Sequence, residues 1–348
     1  MAIEPGERVP NFRRVDQSGK APVLYRELHH GQPIVLIVLP KTPDDDATKR
    51  LAALNTATPA WERISRIGLI AEPPERCSEL AEEYDLAFPL LADDGSLIAH
   101  LVGTPSPDSI TAVALDRNLR MLERIDGSEP GFLTRLLTVY QSNSSETPEV
   151  VSTGAPVLLI PRVFEPDYCD HLIEVFEKDG GHPSGVLVLE DGKEEWAPDP
   201  KYKDRRDMEL VDEALQVEVR GIIGRRVLPE IEHCFNYRVD KHETFKMICY
   251  EAASGGYFRP HRDNVTADAA HRRFAMTLNL NTGDYDGGEL VFPEYGNQRY
   301  APEKGGAIIF SCSLVHEARD VTRGRRYAML GFFFDHQAEA MAKQQQNL

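Results

Sequence analysis

Two metal-ligating residue types stand two positions apart in the segment His261-Arg262-Asp263. Residues at this spacing on a β-strand project to the same face, so both side chains can bind one metal ion. No other His-x-Asp occurs in the chain, although one chance match is unremarkable among 11 histidines. A metal site needs a third ligand, and His316 follows further along the chain. Two histidines and one carboxylate suit non-haem Fe(II) and leave three coordination positions open.

A cation that could hold a carboxylate follows these residues. Arg326 lies ten positions after His316, beyond the turn at Arg323-Gly324. An arginine can grip a carboxylate through two parallel hydrogen bonds. Its neighbour Arg325 is the competing candidate, because adjacent residues of a strand point to opposite faces.

The elements that must position these residues are short strands. Apolar runs separated by Gly- and Asp-rich turns predict an antiparallel sandwich or barrel, with strands at 245–250, 274–280, 289–292, 307–310 and 327–334. Helical spacing predicts helices at 164–177 and 208–234. In the strand at 274–280, Thr277 and Asn279 share a polar face that looks either into the site or into water.

Three stretches carry a strong resemblance to a known family. Residues 249–264, 287–293 and 316–327 contain the His-x-Asp pair, a Gly-Gly turn and the distal His with its Arg-Tyr, in that order. They resemble the prolyl-4-hydroxylase branch of the Fe(II)/2-oxoglutarate-dependent dioxygenases. The resemblance covers residues 160–336. It implies a double-stranded β-helix (jelly roll) with flanking helices.

The resemblance also implies roles for residues and cofactors. It assigns the catalytic metal ligands to His261, Asp263 and His316. It assigns co-substrate binding to Arg326, Tyr250 and Thr277. Tyr250 has an alternative role as a core aromatic with a satisfied hydroxyl. The implied cofactors are Fe(II), 2-oxoglutarate as co-substrate and O₂, with ascorbate as a candidate addition.

The implied reaction is hydroxylation of a C–H bond with release of succinate and CO₂. The family acts on prolyl residues, other protein side chains and small molecules, so the substrate stays open between a protein and a small molecule. Related halogenases lack the carboxylate ligand, and Asp263 therefore favours hydroxylation. Two other classes of function remain as alternatives, a thiol peroxidase and a non-catalytic redoxin-like interaction protein.

Several nearby features allow two interpretations each. Tyr257 and Cys312 either line the site or pack in the core. Residues 185–207 form either a mobile flap over the substrate or a plain surface loop. A basic cluster either attracts an anionic substrate or is solvated and paired with Asp268 and Asp284; it comprises Arg259, Arg262, Arg272 and Arg273.

The first part of the chain alternates strand and helix signals, with the order of a thioredoxin-like α/β domain. Landmarks at 10–12, 83–93 and 112–116 resemble a peroxiredoxin over residues 5–126. In that family the peroxidatic Cys begins the helix after the strand that ends near Pro40. Ala47 occupies that slot here, and Cys77 has no second cysteine nearby. We therefore expect a redox-inactive domain that binds a partner or forms a homodimer.

Composition sets the domain plan and excludes some partners. A polar segment predicts a linker at 141–155 between a thioredoxin-like domain (1–140) and a dioxygenase domain (156–336), with a tail at 337–348. The formal net charge of −17 argues against nucleic acid and anionic lipid as partners. No apolar run is long enough for a membrane span. The five scattered cysteines and the absence of a secretory signal predict a cytoplasmic location.

Overall fold

The computed structural model of the chain describes residues 2–56, 61, 63–142, 153–190, 193–197 and 199–346. The chain divides into two compact units, Met1–Pro148 and Glu149–Leu348. The predicted linker falls largely on residues 143–152, outside the described residues, so the predicted domain bounds stay predictions. No helix among the described residues is long and apolar enough to cross a membrane.

The described residues of the first unit form one mixed sheet with helices around it. After a π-helical turn at Leu24–Leu28, the elements are β1 (Ile34–Val38), α1 (Asp45–Asn55), β2 (Ser65–Ile70), α2 (Pro74–Glu83), β3 (Leu90–Ala92), α3 (Ser96–Val102), β4 (Thr111–Leu115), β5 (Met121–Asp126) and α4 (Phe132–Ser142). The strand order is β3-β2-β1-β4-β5, with β1, β2 and β3 parallel and β4 and β5 antiparallel to their neighbours. This arrangement confirms the predicted thioredoxin-like α/β fold.

The central strand β1 is buried on both faces. Val35 and Ile37 pack into one apolar core, whereas Ile34 and Leu36 pack into a second core on the other face. A strand covered on both sides needs apolar residues at every position, which explains the unbroken run Ile-Val-Leu-Ile-Val.

Helix α3 was not predicted from the sequence. It has only seven residues and begins after Gly95, which has a φ of +89°. Asp93 stabilises the first turn of the helix, because one of its carboxylate oxygens accepts a hydrogen bond from the amide of Ile98 at 3.1 Å. A helix of two turns shows too little apolar periodicity for the pattern to identify it.

The second unit is rich in antiparallel strands. Its elements up to the first metal-ligand candidate are β6 (Leu158–Ile160), α5 (Pro166–Asp179), β7 (His182–Pro183), β8 (Val186–Glu190), β9 (Lys193–Ala197), β10 (Lys203–Asp204), β11 (Arg206–Glu209), α6 (Glu213–Arg226), α7 (Leu228–Phe235), β12 (Lys241–His242), β13 (Lys246–Glu251) and β14 (Tyr257–His261). The remaining elements are β15 (Phe274–Asn279), β16 (Asp286–Gly287), β17 (Leu290–Val291), β18 (Arg299–Tyr300), β19 (Ala307–Ser311), β20 (His316–Ala318), β21 (Val321–Arg323), β22 (Arg325–Phe334) and α8 (His336–Gln346).

Two sheets of this unit form the frame of the site. The larger sheet has the order β6-β19-β15-β22-β13-β11-β7, and β12 also pairs with β22. The smaller sheet has the order β10-β14-β20-β17-β18. Tyr250 and Phe310 of the larger sheet share one apolar core with Leu290 and Ala318 of the smaller sheet. The facing antiparallel sheets confirm the predicted jelly-roll class.

Helices cover the other face of the larger sheet. Met247, Met276 and Leu278 on that face pack in one core with Leu172 of α5 and Val219 of α6. The prediction of one long helix over 208–234 was wrong in part. Met208 lies in β11, opposite Met247 of β13, and α6 and α7 follow as separate helices. The strand depends on a partner distant in sequence, and Pro229 marks the start of the second helix.

The buried face of β15 makes a specific stability prediction. Leu278 is fully buried between β19 and β22, and we expect Leu278→Ala to lower the free energy of unfolding by about 2–5 kcal/mol through lost burial and a residual cavity. Leu159→Ala is the matched control, because that side chain is 50% exposed. Urea unfolding followed by circular dichroism measures both changes. Equal losses in the two variants would contradict the assigned packing.

Candidate functional site

Two strands of the smaller sheet place two histidines opposite each other. β14 and β20 are antiparallel, and His261 at the end of β14 pairs directly with His316 at the start of β20. Residues directly opposite on antiparallel strands extend to the same face. The two ring centres consequently lie 4.2 Å apart.

Asp263 completes this group from just beyond β14. The expectation that it shares a strand with His261 was wrong, because its amide donates to the Cys312 carbonyl at 3.0 Å and the backbone leaves the strand pairing. Its Oδ1 lies 3.5 Å from His261 Nε2, and its Oδ2 lies 3.4 Å from His316 Nε2. One ligand atom from each of the three residues lies within 4.8 Å of the others.

Backbone carbonyls hold both rings in a metal-binding tautomer. His261 Nδ1 is 2.8 Å from the Arg259 carbonyl oxygen, and His316 Nδ1 is 3.1 Å from that of Leu314. A carbonyl can only accept, so each Nδ1 carries the proton and donates it. Each Nε2 then presents its lone pair toward Asp263, as a metal-ligating histidine requires.

The protonation states of the group also suit a cation. Burial lowers the pKa of His316 to about 4, so this ring is neutral at neutral pH. Burial acts to raise the pKa of Asp263, but His316 and His261 outweigh it and the pKa falls to about 2. A neutral imidazole beside an ionised carboxylate is the donor set that binds Fe(II).

The group opens into a cavity of about 450 Å³ between the two sheets. All six residues singled out in the sequence line it: His261, Asp263, His316, Arg326, Tyr250 and Thr277. The structure therefore brings together residues from β13, β14, β15, β20 and β22.

Arg326 contributes an unsatisfied cation to this cavity. It pairs with Tyr250 across β22 and β13 and is 2% exposed. Its Nη2 donates to Asn279 Oδ1 at 2.9 Å, while its buried Nε has no hydrogen-bond partner among the described residues. Leaving a buried charged donor unpaired is costly, and a carboxylate ligand would relieve that cost.

Tyr250 and Thr277 line the cavity beside Arg326. The Tyr250 hydroxyl accepts a hydrogen bond from Arg205 Nη1 at 3.4 Å, and its ring centre lies 5.5 Å from the Arg326 guanidinium carbon. Thr277 and Asn279 are 5% and 1% exposed, so the polar face of β15 is turned away from water.

The alternative residues near the site lie elsewhere. Arg325 points away from Arg326 and forms ion pairs with Glu251 and Glu177. Tyr257 donates its hydroxyl proton to the Pro200 carbonyl and stacks against Arg259. Cys312 is fully buried, and burial raises the pKa of its thiol.

The basic cluster is largely neutralised, but by other acids than those expected. Asp268 and Asp284 are not its carboxylate partners among the described residues. The pairs are Arg259 with Asp320 at 2.7 Å, Arg262 with Glu294 at 2.6 Å and Arg272 with Glu243 at 2.6 Å.

The sequence reasoning missed three cations of the cavity, Lys203, Arg205 and Lys246 of β13. Lys203 and Arg205 line the cavity from the stretch 185–207, which contains the hairpin β8–β9 and the strand β10. The stretch is therefore not a plain loop, and a flap role stays a prediction. The sequence Lys-Asp-Arg-Arg-Asp at 203–207 has the composition of an exposed segment, and no periodic signal reveals its burial.

In the first unit, the position at the start of α1 where the resemblance to peroxiredoxins places the peroxidatic Cys holds no thiol. Ala47 is buried near the start of α1, and its amide donates to the Asp44 carboxylate at 2.5 Å. A carboxylate thus occupies the helix terminus that would stabilise a thiolate. Cys77 is fully buried, and burial raises the pKa of its thiol to about 11.

Two family models match the chain, one in each unit. Residues 245–334 match the 2OG-Fe(II) oxygenase superfamily, and residues 5–119 match the AhpC/TSA family. A PKHD-type hydroxylase of Synechococcus sp. (strain JA-2-3B'a(2-13)) is 36% identical over 153 residues, which cover 36% of this chain and 67% of that relative. The chain therefore belongs to the 2OG-Fe(II) oxygenase superfamily, within the family of PKHD-type hydroxylases.

Two further matches are shorter or more distant. The PKHD-type hydroxylase PiuC of Pseudomonas aeruginosa is 35% identical over 88 residues, covering 23% of this chain. The chain spans only 38% of the length of that relative. A solved prolyl-4-hydroxylase of Pseudomonas putida aligns with 18% identity and a TM-score of 0.41, over 53% of this chain and 94% of that one.

The geometry predicts that metal affinity depends on His316 and not on His271. We expect His316→Ala to weaken Mn(II) or Fe(II) binding by more than about 100-fold, since even loss of a residue that only supports a ligand costs 10–100-fold. His271→Ala is the matched control, because that ring pairs with Glu243 at 2.9 Å outside the cavity. Anaerobic calorimetric titration measures both affinities. Unchanged binding in His316→Ala would refute the assigned ligand set.

Proposed function

We propose that the second unit is an Fe(II)/2-oxoglutarate-dependent dioxygenase that hydroxylates a C–H bond of a prolyl or other protein side chain or of a small molecule. The observation that carries the proposal is the convergence of two inward-facing Nε2 atoms, an ionised carboxylate and an unsatisfied buried arginine on one cavity. Family membership supports the same reaction class.

Residues at the smaller sheet would bind the metal, and residues of the larger sheet would bind the co-substrate. His261, Asp263 and His316 would supply three ligands to the metal, and the remaining coordination positions would be left for other ligands. When bound, Fe(II) supplies the oxidation of 2-oxoglutarate by O₂, with release of succinate and CO₂ and hydroxylation of the substrate. Arg326 would bind the distal carboxylate of 2-oxoglutarate, with Tyr250 and Thr277 beside it.

The surroundings exclude competing interactions at the metal. The Phe258 ring stacks on the His261 ring with centres 3.5 Å apart, and Phe310 lies 4.6 Å from His316. These aromatic rings cover one face of each histidine. Excluding water from those faces would strengthen the electrostatic interactions of the ligands with a bound cation.

For the first unit we propose a non-catalytic role in recruiting a protein substrate or in forming a homodimer. The carboxylate-capped helix terminus at Ala47 and the buried, high-pKa Cys77 disfavour a thiol peroxidase. We also propose a cytoplasmic location, since all five cysteines are free thiols. We expect neither nucleic acid nor membrane as a partner, because the net charge is −17. Ascorbate remains a candidate addition to the assay.

The primary test needs no substrate. Anaerobic addition of Fe(II) and 2-oxoglutarate should produce the visible charge-transfer band of the chelated co-substrate. We expect no band in His261→Ala. In Arg326→Ala the apparent Kd for 2-oxoglutarate should rise by about 10–100-fold, because a charge-assisted hydrogen bond contributes about 1.5–3 kcal/mol.

Arg325→Ala is the matched control for this experiment, because the adjacent arginine points away from the cavity. It should leave the band and the Kd unchanged. A folded wild-type protein without the band would overturn the dioxygenase proposal and favour the interaction-protein alternative.

The Gly-Gly turn provides an independent test of the Arg326 assignment. Gly288 has a φ of +68°, and a Cβ there would lie 2.9 Å from Arg326 Cδ. We expect Gly288→Ala to displace the guanidinium and weaken 2-oxoglutarate binding by about tenfold, equivalent to about 1.4 kcal/mol. Metal affinity should be unchanged.

Gly283→Ala controls for backbone strain in this test. Gly283 has a φ of +106°, but a Cβ there would meet nothing within 4 Å. Its variant should lose stability without losing 2-oxoglutarate affinity. Equal weakening in the two variants, measured by titration of the charge-transfer band, would attribute the effect to strain rather than to Arg326.

A further inference from the structure

The lining of the cavity carries more cations than carboxylates, although the chain as a whole is acidic. The lining contains six lysines and arginines but only two carboxylates, Asp207 and Asp263. The six cations are Lys203, Arg205, Lys246, Arg262, Arg272 and Arg326.

Four of these cations have carboxylate partners. The pairs are Arg205 with Asp207 at 2.7 Å, Lys246 with Glu209 at 3.3 Å, Arg262 with Glu294 at 2.6 Å and Arg272 with Glu243 at 2.6 Å. Within the part of the chain that the structure describes, Lys203 and Arg326 have no carboxylate within 4.0 Å. Arg326 is already assigned to the co-substrate, and Lys203 remains.

Lys203 is buried with incomplete hydrogen bonding. Its residue is 8% exposed, and its Nζ donates to the Gly185 carbonyl at 3.1 Å. An ammonium has three donors, so two are left for a ligand. Burial lowers the pKa of Lys203 to about 7, which an anion placed against the ammonium would reverse.

Lys203 is placed close to the metal ligands. It pairs with Phe258 across β10 and β14, and its Nζ lies 4.8 Å from the centre of the Phe258 ring. The same ring stacks on His261, with ring centres 3.5 Å apart, and also contacts Tyr202 and Arg205. Lys203 therefore lies one aromatic ring away from the metal site.

Lys203 and Arg326 belong to different sheets. Lys203 is on β10 at the edge of the smaller sheet, next to the strand that ends at His261. Arg326 is on β22 in the larger sheet. The cavity thus has two separate cations that could each bind an anion. The distal carboxylate of the co-substrate needs only one of them, so Lys203 remains available for another anion.

We propose that Lys203 binds a carboxylate of the substrate, so that the site selects molecules or peptides that carry an acidic group close to the hydroxylated C–H bond. The inference rests on the proposed dioxygenase function and names the class of its substrate. Arg205 acts as a positioning residue. It follows β10 directly, and its bidentate contact with Asp207 at 2.7 and 3.0 Å fixes the backbone beside Lys203.

The test compares acids with their neutral amides on the protein loaded with Mn(II) and 2-oxoglutarate. The small-molecule probes are L-proline and L-prolinamide. The peptide probes are N-acetyl-Gly-Pro-Glu-amide and N-acetyl-Gly-Pro-Gln-amide. Calorimetric titration measures binding to the wild type, Lys203→Met, Lys203→Arg and the remote control Lys241→Met, whose lysine pairs with Glu339 at 2.5 Å.

We expect at least one acid to bind the wild type about tenfold or more tightly than its amide, the loss that follows from one charge-assisted hydrogen bond. Lys203→Met should abolish this preference, while Lys203→Arg and Lys241→Met should keep it. A preference for L-proline would identify a free acid as the source of the carboxylate. A preference for the glutamyl peptide would identify an acidic side chain.

Three results would overturn the proposal. The first is that the wild type shows no preference for an acid over its amide. The second is that Lys203→Met keeps the preference. The third is that Lys203→Met loses affinity for 2-oxoglutarate, which would show that Lys203 binds the co-substrate instead. The anaerobic charge-transfer band with Fe(II) and 2-oxoglutarate distinguishes failure of the Lys203 proposal from failure of the dioxygenase function. Lys203→Met must retain the band, whereas an absent band in the wild type refutes the function itself.

Discussion

The direct pairing of His261 with His316 is the constraint on which the site depends. Strand register decides this pairing, since a slip by one residue would turn one ring to the opposite face. Carbonyls of the same two segments then fix the tautomer of each ring. The backbone that holds the sheet together therefore also prepares the metal ligands, and Asp263 needs only a short turn to join them.

The two units differ in whether the polar groups at their family's reactive position have hydrogen-bond partners within the chain. In the second unit, buried polar groups are left unsatisfied where a ligand would bind, as at Arg326 Nε. In the first unit, the equivalent position is satisfied internally, because Asp44 accepts the amide of Ala47. The first unit thus keeps the packing of its fold while its helix terminus is occupied by its own carboxylate, which agrees with the non-catalytic role proposed above.

The sequence was sufficient for the elements and residues whose signal is local. The order of strand and helix signals predicted the thioredoxin-like class. The short strands predicted a sandwich or barrel, and the family resemblance carried by the metal-ligand motif implied the jelly roll. The six site residues predicted in this way line one cavity. The sequence failed where the structure depends on distant partners. Met208 joins a sheet only because Met247 lies opposite. Lys203 is buried against Phe258 and Gly185, whereas the four residues that follow it in sequence, 204–207, are all charged.

The position of Arg326 in β22 has a consequence for the choice of co-substrate. This strand pairs with β12, β13 and β15, so its arginine is held by the most extensively paired strand of the larger sheet. The two histidines are held by the shorter paired strands β14 and β20. The separation between Arg326 and the two histidines is therefore set by residues on paired strands of the two sheets. Under the proposed function, a dicarboxylate one methylene shorter or longer than 2-oxoglutarate would contact the metal and Arg326 together only if one of these strands or the Arg326 side chain moved.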